Sequence, residues 1–214
     1  MNSNEKSELI LYGASGHAKV VADICEQNSK HISLILDDNP AIQSLLEYKV
    51  KLPSPELYSG QHFIISIGDS KTRKKIVEEN DFMYTHAIHP SAIIDTSSEV
   101  GEGTVVMAGV VINSSVILGK HCIINTSASV DHDCHLKDYV HISPNATLCG
   151  GVSVGEGTQV GAGAVVIPNI KIGKWCTIGA GSVVVRDIPD GAKVVGNPGR
   201  VIKSNLIDNS NDAG

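Results

Sequence analysis

The feature that most constrains the fold of this 214-residue chain is a six-residue period in its second half. Every sixth residue from Ile94 to Val184, sixteen positions in all, is Ile, Val or Leu. These three types supply 59 of the 214 residues, so a chance match at every position has odds of roughly one in a billion. The period is therefore a property of the fold.

The residues around each repeated aliphatic indicate what that fold is. A small or β-branched residue often stands two positions before it, and Gly often follows it. This is the hexapeptide signature of a parallel β-helix, in which each hexad gives one short strand and one turn. Three hexads close one triangular coil, so residues 18 apart stack on the same flank. The ninety residues of the period predict about five coils.

The first half alternates strands with helices, which predicts a small parallel sheet of the Rossmann-like α/β type. The segments are a strand at Leu9–Tyr12, a turn at 13–16, a helix at 17–27 with Val20, Val21 and Ile24 on its apolar face, strands at 32–36 and 63–67, and a helical stretch at 70–80. We therefore divide the chain into an α/β domain (1–85), a connector (86–93), a β-helix (94–190) and a C-terminal extension with a polar tail (191–214).

Charge and composition exclude several classes of partner. The net charge of -6 argues against a binder of nucleic acid, which usually needs a basic surface. No apolar run reaches the length of a membrane span, and the polar N-terminus has no signal-peptide core, so we expect a cytoplasmic protein. The five cysteines form no CxxC pair, which favours reduced thiols that serve in packing.

A glycine turn follows the first strand and precedes the first helix. Gly13-x-x-Gly16 offers backbone N–H groups and a helix N-terminus to an anion such as a pyrophosphate. The full dinucleotide fingerprint is absent, which makes NAD doubtful and leaves a nucleotide diphosphate open. Asp37 and Asp38, after the second strand, are placed to accept from a ribose hydroxyl or a base N–H. The alternative is an ordinary turn beside solvated acids.

The best candidate for a general base is His132, which lies between Asp131 and Asp133 in a charge-poor stretch. A neighbouring carboxylate raises the basicity of an imidazole and fixes its tautomer, as a base working near neutral pH requires. The alternative is a surface turn without a chemical role. Gly150 stands 18 residues after His132, so its backbone N–H is a candidate donor to an oxyanion.

Two further observations concern ligands. Ala162 and Ala180 are 18 residues apart, so their methyl groups would form a strip wide enough for a thin ligand such as pantetheine, although small residues also suit tight turns in any such repeat. Three histidines, His132, His135 and His141, raise the alternative of a zinc hydratase. Because His132 and His141 are half a coil apart, they cannot share a metal within one chain, and we expect no metal.

Taken together, several segments resemble the bacterial nucleotide-sugar acetyltransferases of the hexapeptide-repeat family. The resemblance is closest to UDP-4-amino-sugar (UDP-N-acetylbacillosamine) N-acetyltransferases, which are related to sialic-acid O-acetyltransferases, and it extends from about residue 8 to residue 203. The matching segments are Gly13-Ala-Ser-Gly-His17, Leu36-Asp-Asp38, Ile67-Gly68 with Arg73-Lys-Lys-Ile76, Asn125-Thr-Ser, the acid-His-acid-Cys run at 131–134, His141-Ile-Ser and Gly196-Asn-Pro.

The resemblance implies a left-handed β-helix, a homotrimer with active sites between subunits, and a role for each matching residue. It implies that His132 is the base, that Asp133 supports it where relatives have Glu, and that Asn125 is a polar active-site residue. His141, Ala162 and Ala180 match acetyl-CoA positions, although both alanines depart from the family pattern. The matches to the nucleotide-sugar contacts are Ser15, Gly16, His17, Asp37, Asp38 and Gly68.

We therefore expect acetyl transfer from acetyl-CoA to the amine of a nucleotide-linked, UDP-type 4-amino sugar, by direct attack with His132 as base. Cys134 is the rival for a covalent acyl carrier, but its place two residues before Leu136 is an inward position of the repeat. Alternatives are O-acetylation of a sugar such as sialic acid, the zinc hydratase, and a non-catalytic nucleotide-binding scaffold.

Overall fold

A computed structural model describes residues 9–54, 58 and 60–203. The polar segment at the N-terminus and the polar tail that the sequence predicts after residue 203 lie outside these residues. The described chain forms an α/β unit followed by a parallel β-helix. No helix in this part of the chain combines the length and the apolar character that crossing a membrane requires.

The α/β unit is built on a six-stranded sheet in the order β3-β4-β2-β1-β5-β6. Strand β1 pairs in parallel with both β2 and β5, so the chain crosses to opposite sides of β1 and leaves a crevice at its carboxyl end. The elements are β1 (Leu9–Tyr12), α1 (Gly16–Gln27), β2 (Ile32–Leu36), β3 (Ser44–Leu45), β4 (Tyr48–Lys51), β5 (His62–Ile65), α2 (Ser70–Glu79) and β6 (Met83–Tyr84).

Helix α1 buries one face, and that face differs from the predicted one at a single position. Val21 and Ile24 are fully buried as expected, but Val20 is 39% exposed. The buried stripe runs instead through Ala18, Ala22 and Cys25. These residues pack into the core between the sheet and the β-helix, and Val20 lies on the outer side of the helix.

The β-helix has three flat faces, formed by strands of two to four residues. The first face contains β7, β10, β13, β16, β19, β22, β24 and β25, the second β8, β11, β14, β17, β20 and β23, and the third β9, β12, β15, β18 and β21. The strands are β7 (Ala87–Ile88), β8 (Ile93–Ile94), β9 (Glu99–Val100), β10 (Val105–Val106), β11 (Val111–Ile112), β12 (Ile117–Leu118), β13 (Ile123–Ile124), β14 (Ser129–Val130), β15 (His135–Leu136), β16 (His141–Ile142), β17 (Thr147–Leu148), β18 (Ser153–Val154), β19 (Gln159–Val160), β20 (Val165–Val166), β21 (Lys171–Ile172), β22 (Thr177–Ile178), β23 (Val183–Val184), β24 (Lys193–Val195) and β25 (Arg200–Lys203).

The predicted 18-residue register holds on all three faces from β7 to β23, and the last parallel pair, β22 with β24, shortens it to 16 residues (Thr177 with Lys193). On the first face Ile123 pairs with His141, His141 with Gln159, and Gln159 with Thr177. The second residue of each strand is the repeated aliphatic, and from Ile112 to Val184 it is buried in one continuous core. The six-residue period of the sequence therefore marks the side chains that point into the core of the β-helix.

The β-helix begins earlier than the sequence division placed it. Strand β7, in the segment expected to be a connector, pairs with β10 on the first face. The second face has six strands, each ending at an aliphatic of the predicted period, so it spans six coils where about five were expected. Ile88 stands six residues before Ile94 and continues the aliphatic series, so this start was visible in the period. At the other end β24 and β25 extend the first face.

The turns repeat a left-handed backbone conformation at every sixth residue. Positive φ occurs at each such position from Gly103 to Gly181, and Asp133 has φ 59°. Gly, Asn and Asp tolerate this region best, and they occupy most of these positions. The repeat therefore fixes the backbone at Asp133 independently of any chemical role for its side chain.

The outward side chains of the first face decide where the α/β unit rests. Ala87, Val105 and Ile123 point outward from successive coils, are at most 1% exposed, and join the core beneath α1. In the next coils the same column continues with His141, Gln159 and Thr177, which are polar. The α/β unit thus covers the apolar upper part of the face and ends where a polar groove begins.

Candidate active site

His132 lies at the corner that follows β14, where the second face turns into the third. Its Nδ1 is 2.7 Å from Oδ2 of Asp133, and the imidazole remains 57% exposed. Because a carboxylate only accepts, Nδ1 carries the proton and Nε2 is left free. This hydrogen bond, together with the nearby charge of Asp131, raises the pKa of His132 above its ordinary value. The arrangement suits a general base.

Two neighbours complete this corner. Asp131 accepts from the backbone N–H of His132 at 2.8 Å and from the Asn113 amide at 2.7 Å through the same oxygen, so it braces the turn. Gly150 lies directly beneath the imidazole, because a Cβ at that position would be 2.5 Å from Cε1 of His132. Within the described chain, the Gly150 N–H has no acceptor. We call these residues, with Asp133, the base corner.

A second set of predicted residues shares one groove on the first face. Asn125, His141, Ala162 and Ala180 all line this groove, whose volume is about 450 Å³. Its lining residues come from four successive coils, from Asn125 at the edge of the α/β unit to Ala180. We call it the first-face groove.

His141 is held in one tautomer at the head of this groove. Its Nδ1 is 3.3 Å from the carbonyl oxygen of Gly68, which can only accept, so Nδ1 donates. The side-chain amide of Asn125 then donates to Nε2 at 3.1 Å. Burial, assisted by the charge of Arg73, lowers the pKa of His141 to about 4, so the ring is neutral at physiological pH.

The loop edge of the α/β sheet, formed by residues 13–17, 37–38 and 67–68, contains the predicted nucleotide-sugar contacts. Ser15 precedes α1 without a side-chain cap, so the first N–H groups of this 12-residue helix are left for another acceptor. Nε2 of His17 is buried without a hydrogen-bond partner in the described chain. Burial lowers the pKa of His17 to about 4, and the neighbouring His141 and Arg73 disfavour its protonation in the same direction.

The structure corrects part of the prediction for this edge. Not all of the glycine-turn amides are free, because Gly13 donates to Leu36 and Ala14 donates to Asp37. The other oxygen of Asp37 accepts from the N–H of Asn39, so this carboxylate holds the loop together. Asp38 is exposed and accepts from the Tyr12 hydroxyl at 2.9 Å. Of the two acids, Asp38 is the one more available to a ligand.

The predicted residues therefore form two groups within one chain. The loop edge and the first-face groove meet where Gly68 contacts His141. The base corner lies apart from them, at the far edge of the second face. The half-coil offset between His132 and His141 in the sequence predicts this separation, whereas the 18-residue rule relates only residues on the same flank.

The histidines considered for zinc do not converge. His132 lies at the base corner, His135 is on the third face, and His141 is on the first. In the described ranges, no three His, Cys, Asp or Glu side chains come together in a group that could hold a metal ion.

The cysteines are free thiols, and four of the five are buried. Cys134 is fully buried, and its Sγ donates to the Cys149 carbonyl at 3.2 Å. Burial raises the pKa of this thiol to about 11, which suppresses the thiolate that a nucleophile needs.

Sequence reasoning missed several residues of the site. Gln159 and Thr177 line the first-face groove and could have been found by adding 18 and 36 to His141. Arg73 entered only as part of a resembling motif, yet it is buried beside Gly68 and His141. Its partners are mostly backbone carbonyls, so no side-chain pattern indicates its position.

Comparison with known families matches both units of the chain. Residues 8–80 match the family described as the PglD N-terminal domain. Residues 151–186 match the family described as bacterial transferase hexapeptide (six repeats). The two matches occur in the order that the sequence resemblance requires.

Two curated relatives act on different nucleotide sugars. GDP-perosamine N-acetyltransferase from Escherichia coli O157:H7 is 27% identical over 179 residues, which cover 74% of this chain and 79% of the relative. UDP-N-acetylbacillosamine N-acetyltransferase from Bacillus subtilis (strain 168) is 41% identical over 118 residues, 46% of this chain and 50% of the relative.

A solved structure matches nearly the whole chain. It is a histidine-to-asparagine variant of perosamine N-acetyltransferase from Caulobacter crescentus, in complex with CoA and GDP-perosamine. The two chains share 37% identity with a TM-score of 0.88, and the match covers 92% of this chain and 97% of the other.

Proposed function

Because the chain belongs to the hexapeptide-repeat nucleotide-sugar acetyltransferases, we propose that it transfers acetyl from acetyl-CoA to the amine of a nucleotide-linked amino sugar. The observation that carries this proposal is the contact between Gly68 and His141. It joins an edge suited to a nucleotide diphosphate with a groove suited to a long thin thioester. The two substrates can therefore meet at one place.

The first-face groove would hold acetyl-CoA. Ala162 and Ala180 line it one coil apart, and their small side chains leave the backbone open to the amides of a pantetheine arm. At the head of the groove, neutral His141 adds no charge beside the thioester. Relatives in this family bind CoA in solved structures, which supports the assignment.

The loop edge would hold the nucleotide. The uncapped start of α1, with Gly16 and His17, presents N–H groups and the positive end of the helix dipole to a diphosphate. Asp38 would accept from a ribose hydroxyl or a base N–H, while Asp37 keeps the loop in place. Because relatives use both GDP and UDP sugars, we leave the base open and retain UDP as our expectation.

His132 would act as the general base. The amine lone pair attacks the thioester carbonyl and forms the C–N bond, while the amine proton passes to Nε2 of His132. The carbonyl π electrons move to oxygen, where the Gly150 N–H donates. Collapse of this intermediate breaks the C–S bond and releases CoA thiolate, which takes up a proton. General-base assistance of this kind is worth about 10²–10⁴ in rate.

The separation of the base corner from the groove leads us to propose a homotrimer. The second face lies between them, and its outward residues carry no charge: Ile93, Val111, Ser129, Thr147, Val165 and Val183. The third face, in contrast, presents Glu99 and Lys171. A head-to-tail ring that covers the uncharged face would bring His132 of one subunit to the groove of the next.

The test is a substrate panel. We expect the purified full-length protein to release CoA from acetyl-CoA, measured with a thiol reagent, in the presence of at least one UDP-, GDP- or dTDP-linked 4-amino sugar. The matched nucleotide sugars with a hydroxyl in place of the amine, and free sialic acid, are the controls. Turnover of hydroxyl acceptors without any amine acceptor would replace this proposal with O-acetylation.

A further inference from the structure

Arg73 is the largest fully buried side chain in the described part of the chain, with 1% of its surface exposed. It lies in the first turn of α2, at the boundary between the α/β unit and the β-helix. Each of its five N–H groups has an acceptor. Nε donates to His121 O at 3.2 Å, Nη1 to Ile67 O at 3.1 Å and Gly68 O at 2.7 Å, and Nη2 to Ser70 Oγ at 3.2 Å and Tyr139 O at 2.9 Å.

These acceptors belong to two parts of the molecule. Ile67 and Gly68 form the end of the loop edge, whereas His121 and Tyr139 are corner residues of successive coils of the β-helix. One guanidinium group therefore holds the loop edge against the β-helix. A lysine could not replace it, because an ammonium has three donors and lacks the planar fork.

Burying this charge is costly, and no carboxylate forms an ion pair with it among the described residues. An apolar side chain would fill such a boundary at lower cost, since isolated buried charges are destabilising. Five directed hydrogen bonds, in contrast, fix the positions of backbone carbonyls, which apolar packing cannot do. An arginine at this place therefore indicates that the backbone carbonyls it contacts must be held in fixed positions.

The group that Arg73 positions is the carbonyl oxygen of Gly68. It accepts from Nη1 of Arg73 and also from Nδ1 of His141 at 3.3 Å. The first bond places the oxygen, and the second orients the imidazole so that Nε2 accepts from Asn125. A displaced Gly68 carbonyl would release the ring and its tautomer.

We propose that Arg73 is a positioning residue for acetyl transfer, which fixes the Gly68 carbonyl and through it the orientation and tautomer of His141 in the acetyl-CoA groove. This inference rests on the proposed function for the identity of the groove. It also makes Gly68 a mechanical link between the two substrate sites, so that the nucleotide loop and the groove are held in one arrangement.

The test is a double-mutant cycle read by CoA binding. Wild type, Arg73→Lys, His141→Ala and the double variant are titrated calorimetrically with CoA, with Lys75→Met on the exposed side of α2 as the control. We expect Arg73→Lys to weaken CoA binding at least about fivefold in the presence of His141 and less than about twofold in its absence. Equal effects in both backgrounds would overturn the proposal, because a purely structural residue acts additively.

A spectroscopic measurement keeps the test independent of affinity. In ring-¹⁵N-labelled protein, the His141 nitrogens should report the Nδ1–H tautomer in wild type and a mixture in Arg73→Lys. An unchanged tautomer would contradict the proposal.

If Arg73→Lys does not fold, Ser70→Ala removes a single hydrogen-bond acceptor of Arg73. It should then change CoA binding and the His141 tautomer in the same direction, by a smaller amount. CoA binding is measured without any sugar substrate. A negative substrate panel would therefore count against the proposed function, whereas equal effects in the mutant cycle would count against the role of Arg73.

Discussion

The imidazole of His132 is stacked on Gly150, so that a Cβ at position 150 would lie 2.6 Å from the ring's Nε2. The two residues are 18 apart in sequence and one coil apart in space. The repeat that folds the β-helix thus also places the proposed base over a backbone N–H that can receive an oxyanion. The proposed catalytic geometry therefore follows from the register of the fold.

This stacking predicts that Gly150→Ala lowers kcat by about 10²-fold, because the new methyl group displaces the ring from its position. The fold should survive, since the side chain that must move is 57% exposed. Steady-state kinetics check the loss, and circular dichroism checks the fold. In a His132→Ala background the same substitution should have little further effect on the residual rate; an undiminished effect would mean that Gly150 does not act through His132.

The pairing of His132 with Asp133 predicts a shift in the pH profile. The base works only when neutral, so activity is lost as pH falls through its pKa, which the Asp133 hydrogen bond raises. Asp133→Asn should lower that pKa and move the acid limb of the kcat profile to lower pH. The plateau rate should also fall by about tenfold, because a weaker and less oriented base remains. An acid limb that stays in place would exclude the pairing.

The two acids of the loop edge should respond differently. Asp38→Ala is expected to weaken binding of the nucleotide product, measured by calorimetry, while CoA binding stays unchanged. Asp37→Ala should lower the melting temperature as well, because it leaves the N–H groups of Ala14 and Asn39 without their acceptor. Equal loss of nucleotide and CoA binding in Asp38→Ala would assign that carboxylate to the fold.

The β-helix was predictable because one class of residue repeats at one position. Each aliphatic from Ile94 onward reports an inward position, and the 18-residue register then relates His132 to Gly150 and Ala162 to Ala180. Extending the series back by one hexad to Ile88 would also have given the correct start.

Other parts of the site could not be predicted, for a physical reason. The acceptors of Arg73 and the donors to Asp37 are mostly backbone groups, which every residue carries. The pattern of side chains in the sequence therefore cannot predict which backbone groups will be hydrogen-bond partners. The exposure of Val20 likewise depends on how α1 meets the β-helix, which the helical period alone does not specify.

The proposed ring predicts complementation between weakly active subunits. His132→Ala and His141→Ala chains, unfolded together and refolded as mixed trimers, should be more active than either parent. With random equal mixing, about a quarter of the interfaces combine an intact His132 with an intact His141 from the next subunit. Each parent refolded alone is the control. Mixed trimers no more active than the parents would rule out a site shared in this way.

The central claim, that His132 is the base of acetyl transfer, is tested most directly by the rate of acetyl transfer in His132→Ala. His135→Ala, an exposed histidine three residues away on the third face, is the matched control. We predict that kcat falls by about 10²–10⁴ in His132→Ala, with acetyl-CoA affinity within about twofold of wild type. Retention of more than half of the wild-type activity would contradict the assignment.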